Sequence, residues 1–423
     1  MSINLSGKKI SMFFAEGIFS GYLGLAVAAL YARSLLTEDY GKINAAIGVV
    51  FIFAVICQWG MPNLAVKIFK ATGESTWEDE ARGIRYFAPR VIIIFSFTIA
   101  LLLVLWHALF PSPSSLLLKE FIFIAALLPF VCLSNFYSSS SLAHGGGLMV
   151  NTIMGWGGKV FNLAVLAAVL IFFKSRIAIF IVISTYAIVV FAQLFCIFIL
   201  TKSVEPTRLK LGNRKVFSKK WLKQGMPFAL TSFGSAFFFS SGVVVMGLVL
   251  GDNKGAAMLA AASGIAGLVL TTSRNVMSLF YPIIVEATER RNAQDIFAIL
   301  RQWFRFLALF SAPFFTVKIL FAKYLLSFYG NDYSIAYWAT IILLCGFLVY
   351  VFLNPFSYVY QFSGYEKSYT YITYIFAGFT VPAMVFAGRE WSFLGVAFVI
   401  VFALLGRALL TSFLALRQIR RWA

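Results

Sequence analysis

Acidic residues are scarce in this chain, 16 Asp and Glu against 35 Lys and Arg in 423 residues, and charge of either sign makes up only 12% of it. A water-soluble surface at this length needs more charge than that. Histidine occurs twice, as His107 and His144, neither with a metal partner in spacing. The four cysteines, Cys57, Cys132, Cys196 and Cys345, all fall inside apolar runs without CxxC or metal spacing. They read as small packing residues rather than as a disulfide framework. Long polar stretches are also missing. The longest, 201–225, is too short to hold a domain. A soluble enzyme and a His/Cys metal centre are therefore excluded, and no cofactor is implied.

What the chain has instead is apolar length. Hydrophobic residues are 61% of it, and the mean hydropathy is +0.88. Each run of about 20 apolar residues suffices for one helical crossing of a bilayer. The pattern predicts an all-α polytopic membrane protein with twelve transmembrane helices. The first six cover approximately 11–33, 43–60, 88–110, 119–137, 149–173 and 177–200. The second six cover 226–250, 255–284, 302–328, 334–356, 368–388 and 392–415. Lys8 and Lys9 before the first run resemble a signal peptide, but the run is too long for one, so an uncleaved first helix is expected.

The net charge of +19 has a topological origin. Lys67, Lys70, Arg82, Arg85, Arg290, Arg291 and the basic segment from Lys202 to Lys223 share one side with the termini. The opposite loops hold scattered cations such as Arg33, Lys119 and Arg389. The positive-inside rule places both termini in the cytoplasm. The same rule removes the case for nucleic acid as a partner.

The chain repeats itself. LLTEDYGKINAAIG at 35–48 aligns with 248–264 at an offset of 214, matching Leu36, Gly41 and Ala46 to Leu250, Gly255 and Ala260. LSNFYSSSSLAHG at 133–145 aligns with 353–364 at an offset of about 219, matching Asn135 to Asn354. An even number of spans per repeat makes the halves parallel, as in transporters with a substrate route between two lobes. The expected organisation is an N-lobe of six helices at 1–201, a basic cytoplasmic linker at 202–224 and a C-lobe of six helices at 225–423. The two lobes are pseudo-symmetric.

Two stretches carry a family resemblance. ARSLLTEDYGKINAAIG after the first span resembles the R-x-L…YG turn of the polysaccharide transporters. LLSFYGNDYSIAYWATIILLCGFL at 325–348 resembles their L-x-x-x-[FY]G-x-x-Y signature. With the spacing of the twelve spans, the chain is similar to the Wzx-type O-antigen flippases, in the superfamily that also holds the multidrug (MATE) transporters and the lipid II flippases. The resemblance implies a MATE-like fold and movement of an undecaprenyl-diphosphate-linked oligosaccharide from the inner to the outer leaflet of a bacterial inner membrane. It also implies alternating access, coupling to a proton or sodium gradient, antiport, and the company of membrane lipids and other polysaccharide-assembly proteins.

Five ionisable residues lie well inside spans: Glu16, Lys159, Arg274, Lys318 and Arg407. Such groups are costly in a bilayer and mark function by default. None is duplicated across the repeat, where Leu230, Gly378, Gly60, Val104 and Ile188 stand in their places. A lipid diphosphate needs cations that replace its hydration, and Arg donates to phosphate in a planar fork. Arg274 and Lys159 are expected to contact the head group, with Lys318 further out and Arg407 as a fourth substrate contact. Lys318 and Arg407 have a second reading, snorkelling to the surface. Glu16 is read either as a helix-to-helix tether or as the ion-coupling carboxylate, whose proton affinity changes with its neighbours. Gly17-x-x-x-Gly21 on the same helix is a close-packing face.

Two further stretches receive plainer readings. SSSSLAHGGG at 138–147 reads as a mobile turn, and Glu78-Asp79-Glu80 as a solvated loop face. Two rival functions remain. A glycan polymerase or ligase needs a large outer loop, and every outer loop here is short, so the chain is not expected to be an enzyme. A small-molecule exporter of cations needs lumenal acids, where this chain has one acid against four bases.

Overall fold

The computed structural model describes residues 7–70, 77–110, 116–144, 146, 149–150, 152–173, 179–205 and 214–422. Its regular elements are helices. They are α1 Gly7–Ser34, α2 Thr37–Cys57, α3 Met61–Lys70, α4 Trp77–Leu109, α5 Leu118–Ala125 and α6 Leu128–Ala143. A π-helical turn at Thr152–Gly157 leads into α7 Gly158–Phe173, followed by α8 Ile179–Val204. Then come α9 Ser218–Val244, α10 Asn253–Glu289, α11 Ala293–Phe306, α12 Ala312–Ser327, α13 Tyr337–Phe362 and α14 Glu366–Arg420.

The span count follows from length. Among the described residues ten helices are long and apolar enough to cross a bilayer, and the bent pair Ser218–Gly234 and Ala236–Val249 makes an eleventh. The 55-residue α14 would be about 80 Å long at 1.5 Å per residue, more than twice a bilayer core. It breaks at Trp391 and Ser392, the latter at φ 49°. Ser392 donates there to Asp252, which caps α10. The two halves of α14 give the expected twelve.

The chain divides into two compact units, residues 1–41 with 242–423, and residues 42–241. These bounds differ from the lobes expected at 1–201 and 225–423, because α1 joins the C-terminal half and most of α9 the N-terminal half. The reason for α1 is its glycine face. A Cβ on Gly17 would stand 2.8 Å from the Thr272 backbone, and one on Gly21 would strike the Leu268 side chain. Only glycine admits α10 this closely, as Gly17-x-x-x-Gly21 suggested. Gly41 lies equally tight against the Asn253 carbonyl. The two signature turns meet in this unit: the Tyr40 ring sits 6.4 Å from Tyr329 and 6.1 Å from Tyr333.

In the 42–241 unit the acidic run opens α4 and is not a free loop face. Lys220 and the Trp221 indole both donate to Glu80, each at 3.1 Å, and Arg82 pairs with Asp79 at 2.6 Å. The Lys215 amide donates to the Asp79 carbonyl at 3.1 Å. Of the expected linker, 206–213 lies outside the described residues; the rest is the end of α8, residues 214–217 and the start of α9. The serine run is likewise not a turn. Ser138–Ser141 continue α6, and Ser141 bonds Thr201 of α8 at 2.7 Å. Gly145 and Gly147 lie outside the described residues.

Candidate functional site

The C-terminal spans gather two of the predicted cations around tyrosines. Tyr350, Asn354 and Tyr358 follow at four-residue spacing on α13 and so share one helix face. Arg407 of α14 is 2% exposed. Its guanidinium donates to the Tyr350 hydroxyl at 3.4 Å and lies 5.9 and 6.0 Å from the Tyr350 and Tyr369 ring centres. It does not snorkel. Tyr358 meets the Tyr281 ring of α10 edge-on at 5.4 Å. Arg274 stands two turns before Tyr281 on the same face of α10.

Arg274 itself is exposed, on a distinctive face. The accessible stripe of α10 reads Gly264, Gly267, Thr271, Arg274 and Tyr281. A side chain at Gly267 would meet empty space. Elsewhere the exposed stripes are apolar, such as Ile94, Phe97 and Leu101 on α4, or Ile375, Phe379 and Phe386 on α14. Lipid accepts the second kind of surface and not the first. The α10 stripe differs from these in carrying a charge, Arg274.

Glu16 stands at the level of Arg274. Gly17 of α1 packs against Thr272, with the Asn275 amide 3.3 Å from its Cβ position, while Gly21 meets Leu268. The two helices run antiparallel, and Glu16 is partly buried beside this crossing. Lys318 lies about 9 Å further along α1, at Tyr22. It is 1% exposed, with its Nζ 4.0 Å from the Phe314 ring centre and 5.9 Å from that of Tyr22. It does not snorkel either. Nζ has no hydrogen-bond partner among the described residues. The cation–π contacts are what the site offers the ammonium.

Lys159 belongs to the other unit. It is partly buried in the first turn of α7, after a backbone break at Gly155. Gly158 beside it is pressed against Gln193 of α8, so the small residues of GWGG do permit close packing. The structure thus places Arg407 among tyrosines, sets Arg274 on the helix whose Tyr281 meets Tyr358 of that cluster, sets Glu16 and Lys318 along α1 of the same unit, and leaves Lys159 in the other unit. The four tyrosines were not anticipated. Their signal was the polar Tyr350-x-x-x-Asn354-x-x-x-Tyr358 stripe in an otherwise apolar span.

Known proteins place this architecture. An inward-facing MATE-family multidrug transporter superposes with a TM-score of 0.67 at 14% identity, over 100% of this chain and 97% of that one. The lipid II flippase MurJ, inward closed, gives 0.65 at 15% identity, over 97% and 89%. The MATE transporter VcmN of Vibrio cholerae, bent form, gives 0.61 at 15% identity, over 98% and 97%. At these identities the likeness is one of fold: an all-helical, MATE-like membrane protein. No curated protein matches the chain. The family described as "Polysaccharide biosynthesis protein" matches residues 6–287, about two-thirds of the sequence, and the chain belongs to that family.

Proposed function

We propose that the protein is a flippase, carrying an undecaprenyl-diphosphate-linked oligosaccharide of the O-antigen type from the inner to the outer leaflet of the bacterial inner membrane, with both termini cytoplasmic. The observation that carries this reading is the Arg407–tyrosine cluster, met by Tyr281 of α10, together with exposed Arg274 two turns before Tyr281 on the accessible stripe of that helix. Two guanidinium groups and several phenol hydroxyls present donors to phosphate oxygens, and the charge-assisted ones are strong. Aromatic faces nearby hold Arg407 in place without neutralising it. The family description and the fold shared with a lipid II flippase support the same class of substrate. Lys159 and Lys318 serve as further head-group contacts, and the lipid chains remain in the bilayer. The protein makes and breaks no bond of its substrate. Glu16 binds the coupling proton or sodium ion, so the cycle is an antiport by alternating access.

The test is transport in proteoliposomes. Wild-type protein is expected to move the lipid-linked oligosaccharide and not a cationic dye. Arg274→Ala and Arg407→Ala, inserted at wild-type levels, are expected to lose transport by about a hundredfold, as loss of two strong contacts implies. Undiminished transport by both variants overturns the proposal.

A further inference from the structure

The 42–241 unit contains an open cavity of about 290 Å³ that the cationic site does not use. It exists because α2 breaks. Trp59 and Gly60 take φ of 47° and 67°, and the chain turns into α3. The break is pinned from α9: the Trp59 indole donates to the Leu222 carbonyl at 3.0 Å, and Gly60 and Gly225 approach backbone to backbone with no room for a Cβ. Left-handed φ at close approach is what glycine supplies at position 60.

The lining is polar but neutral. Gln58, Asn63, Asn135, Ser138, Ser139 and Ser232 present amides and hydroxyls, and none of the lining side chains among the described residues is charged. Two of these groups are incomplete. The Ser138 Oγ has no hydrogen-bond partner among the described residues, although Ser138 is 9% exposed. The Gln58 amide nitrogen likewise has no hydrogen-bond partner among the described residues. Buried polar groups left in this state favour an occupant that completes them. A bare cation cannot take the amide donor. An anion finds no counter-charge, and an apolar molecule leaves both groups unsatisfied. A sugar ring satisfies them, because each of its hydroxyls both donates and accepts.

The internal repeat points the same way independently. At its two offsets Gly60 corresponds to Arg274, Asn135 to Asn354 and Ser139 to Tyr358. The place that one half of the chain fills with an arginine and a tyrosine is emptied in the other half to glycine and serine. The asymmetry matches a ligand with one charged and one neutral part.

We propose that this cavity binds an uncharged sugar residue of the transported glycan through its hydroxyls, apart from the diphosphate site; the inference rests on the flippase reading for the source of that sugar. The experiment is ligand-observed NMR with the full-length protein in nanodiscs. The probes are the oligosaccharide released from the host's lipid-linked glycan and, separately, inorganic pyrophosphate. Wild-type protein is expected to bind the oligosaccharide. Asn135→Leu and the milder Ser138→Ala, checked by unaltered thermal unfolding, are expected to weaken it by about tenfold or more, and Arg274→Ala to leave it unchanged. Pyrophosphate is expected to show the reverse dependence. No oligosaccharide binding, or equal binding by wild type and both cavity variants, overturns the inference. If cavity variants lose the sugar while Arg274→Ala and Arg407→Ala still transport, the sugar site stands and the diphosphate mechanism fails. If those arginine variants lose transport while the cavity variants bind sugar normally, only the sugar site fails.

Discussion

Arg85 of α4 reaches the carboxylate of Glu205, just past the end of α8, at 2.6 Å, and the Glu205 side chain is 1% exposed against 32% for Arg85. A carboxylate this deep cannot be left alone. Removing one partner of a fully buried pair costs about 3–5 kcal/mol. With Arg85 a third exposed, Arg85→Ala is expected to cost roughly 2 kcal/mol. The check is thermal unfolding in detergent, with Arg85→Ala melting several degrees lower and Arg85→Ala/Glu205→Gln recovering part of the loss. Equal unfolding temperatures for wild type and Arg85→Ala contradict the pairing.

Gly17 makes a second demand of the same kind. Its Cβ position faces backbone, the Thr272 Cα at 2.8 Å, which cannot swing aside as a side chain can. Gly17→Ala is expected to push α1 off α10, with an overpacking cost of about 1–3 kcal/mol. Gly267→Ala, on the open face of α10 where nothing lies within 4 Å, is expected to be silent in the same melt. A cysteine pair placed across the α1–α10 contact reports the displacement directly, through slower cross-linking in Gly17→Ala.

These two cases show what was readable. Hydropathy finds the spans because a bilayer demands some 20 apolar residues whatever the neighbours. Gly17-x-x-x-Gly21 was readable because close approach needs small residues at one-turn spacing. The partner of that face was not. The repeat assigns α1 to its own half, whereas contact assigns it to the C-terminal one. Ser138–Ala143 looked like a turn because serine is a weak helix former. Burial of Ser138, Ser140 and Ser141, and the Ser141–Thr201 bond, override that preference. The basic segment was legible as charge, but its docking on Glu80 through Lys220 and Trp221 depends on tertiary geometry. The tyrosine cluster came from three helices, α10, α13 and α14, and only the α13 stripe left a local trace.

Lys318 offers a prediction in which stability and function separate. Its ammonium is buried without a hydrogen-bond partner among the described residues, facing Phe314 at 4.0 Å. Replacing a buried charge by an apolar side chain of similar volume is commonly neutral or stabilising by about 1–4 kcal/mol. Lys318→Met is expected to raise the unfolding temperature and to lower transport. A rise in stability with transport intact shows that the charge is not used. A fall in stability shows that the aromatic contacts of the ammonium outweigh its desolvation.

Glu16 is the test of coupling. It is partly buried, one residue before Gly17, at the level where α1 crosses α10 near Arg274. Glu16→Gln keeps the size of the side chain but removes its charge. In proteoliposomes it is expected to retain exchange of lipid-linked oligosaccharide across the membrane and to lose the stimulation, about tenfold per 1.4 kcal/mol, that an imposed proton or sodium gradient gives the wild type. Glu16→Asp, which keeps the charge, is expected to keep part of that stimulation. If Glu16→Gln remains fully gradient-dependent, the coupling group lies elsewhere and Glu16 is a tether between helices; if exchange is lost as well, the carboxylate belongs to the transport step itself.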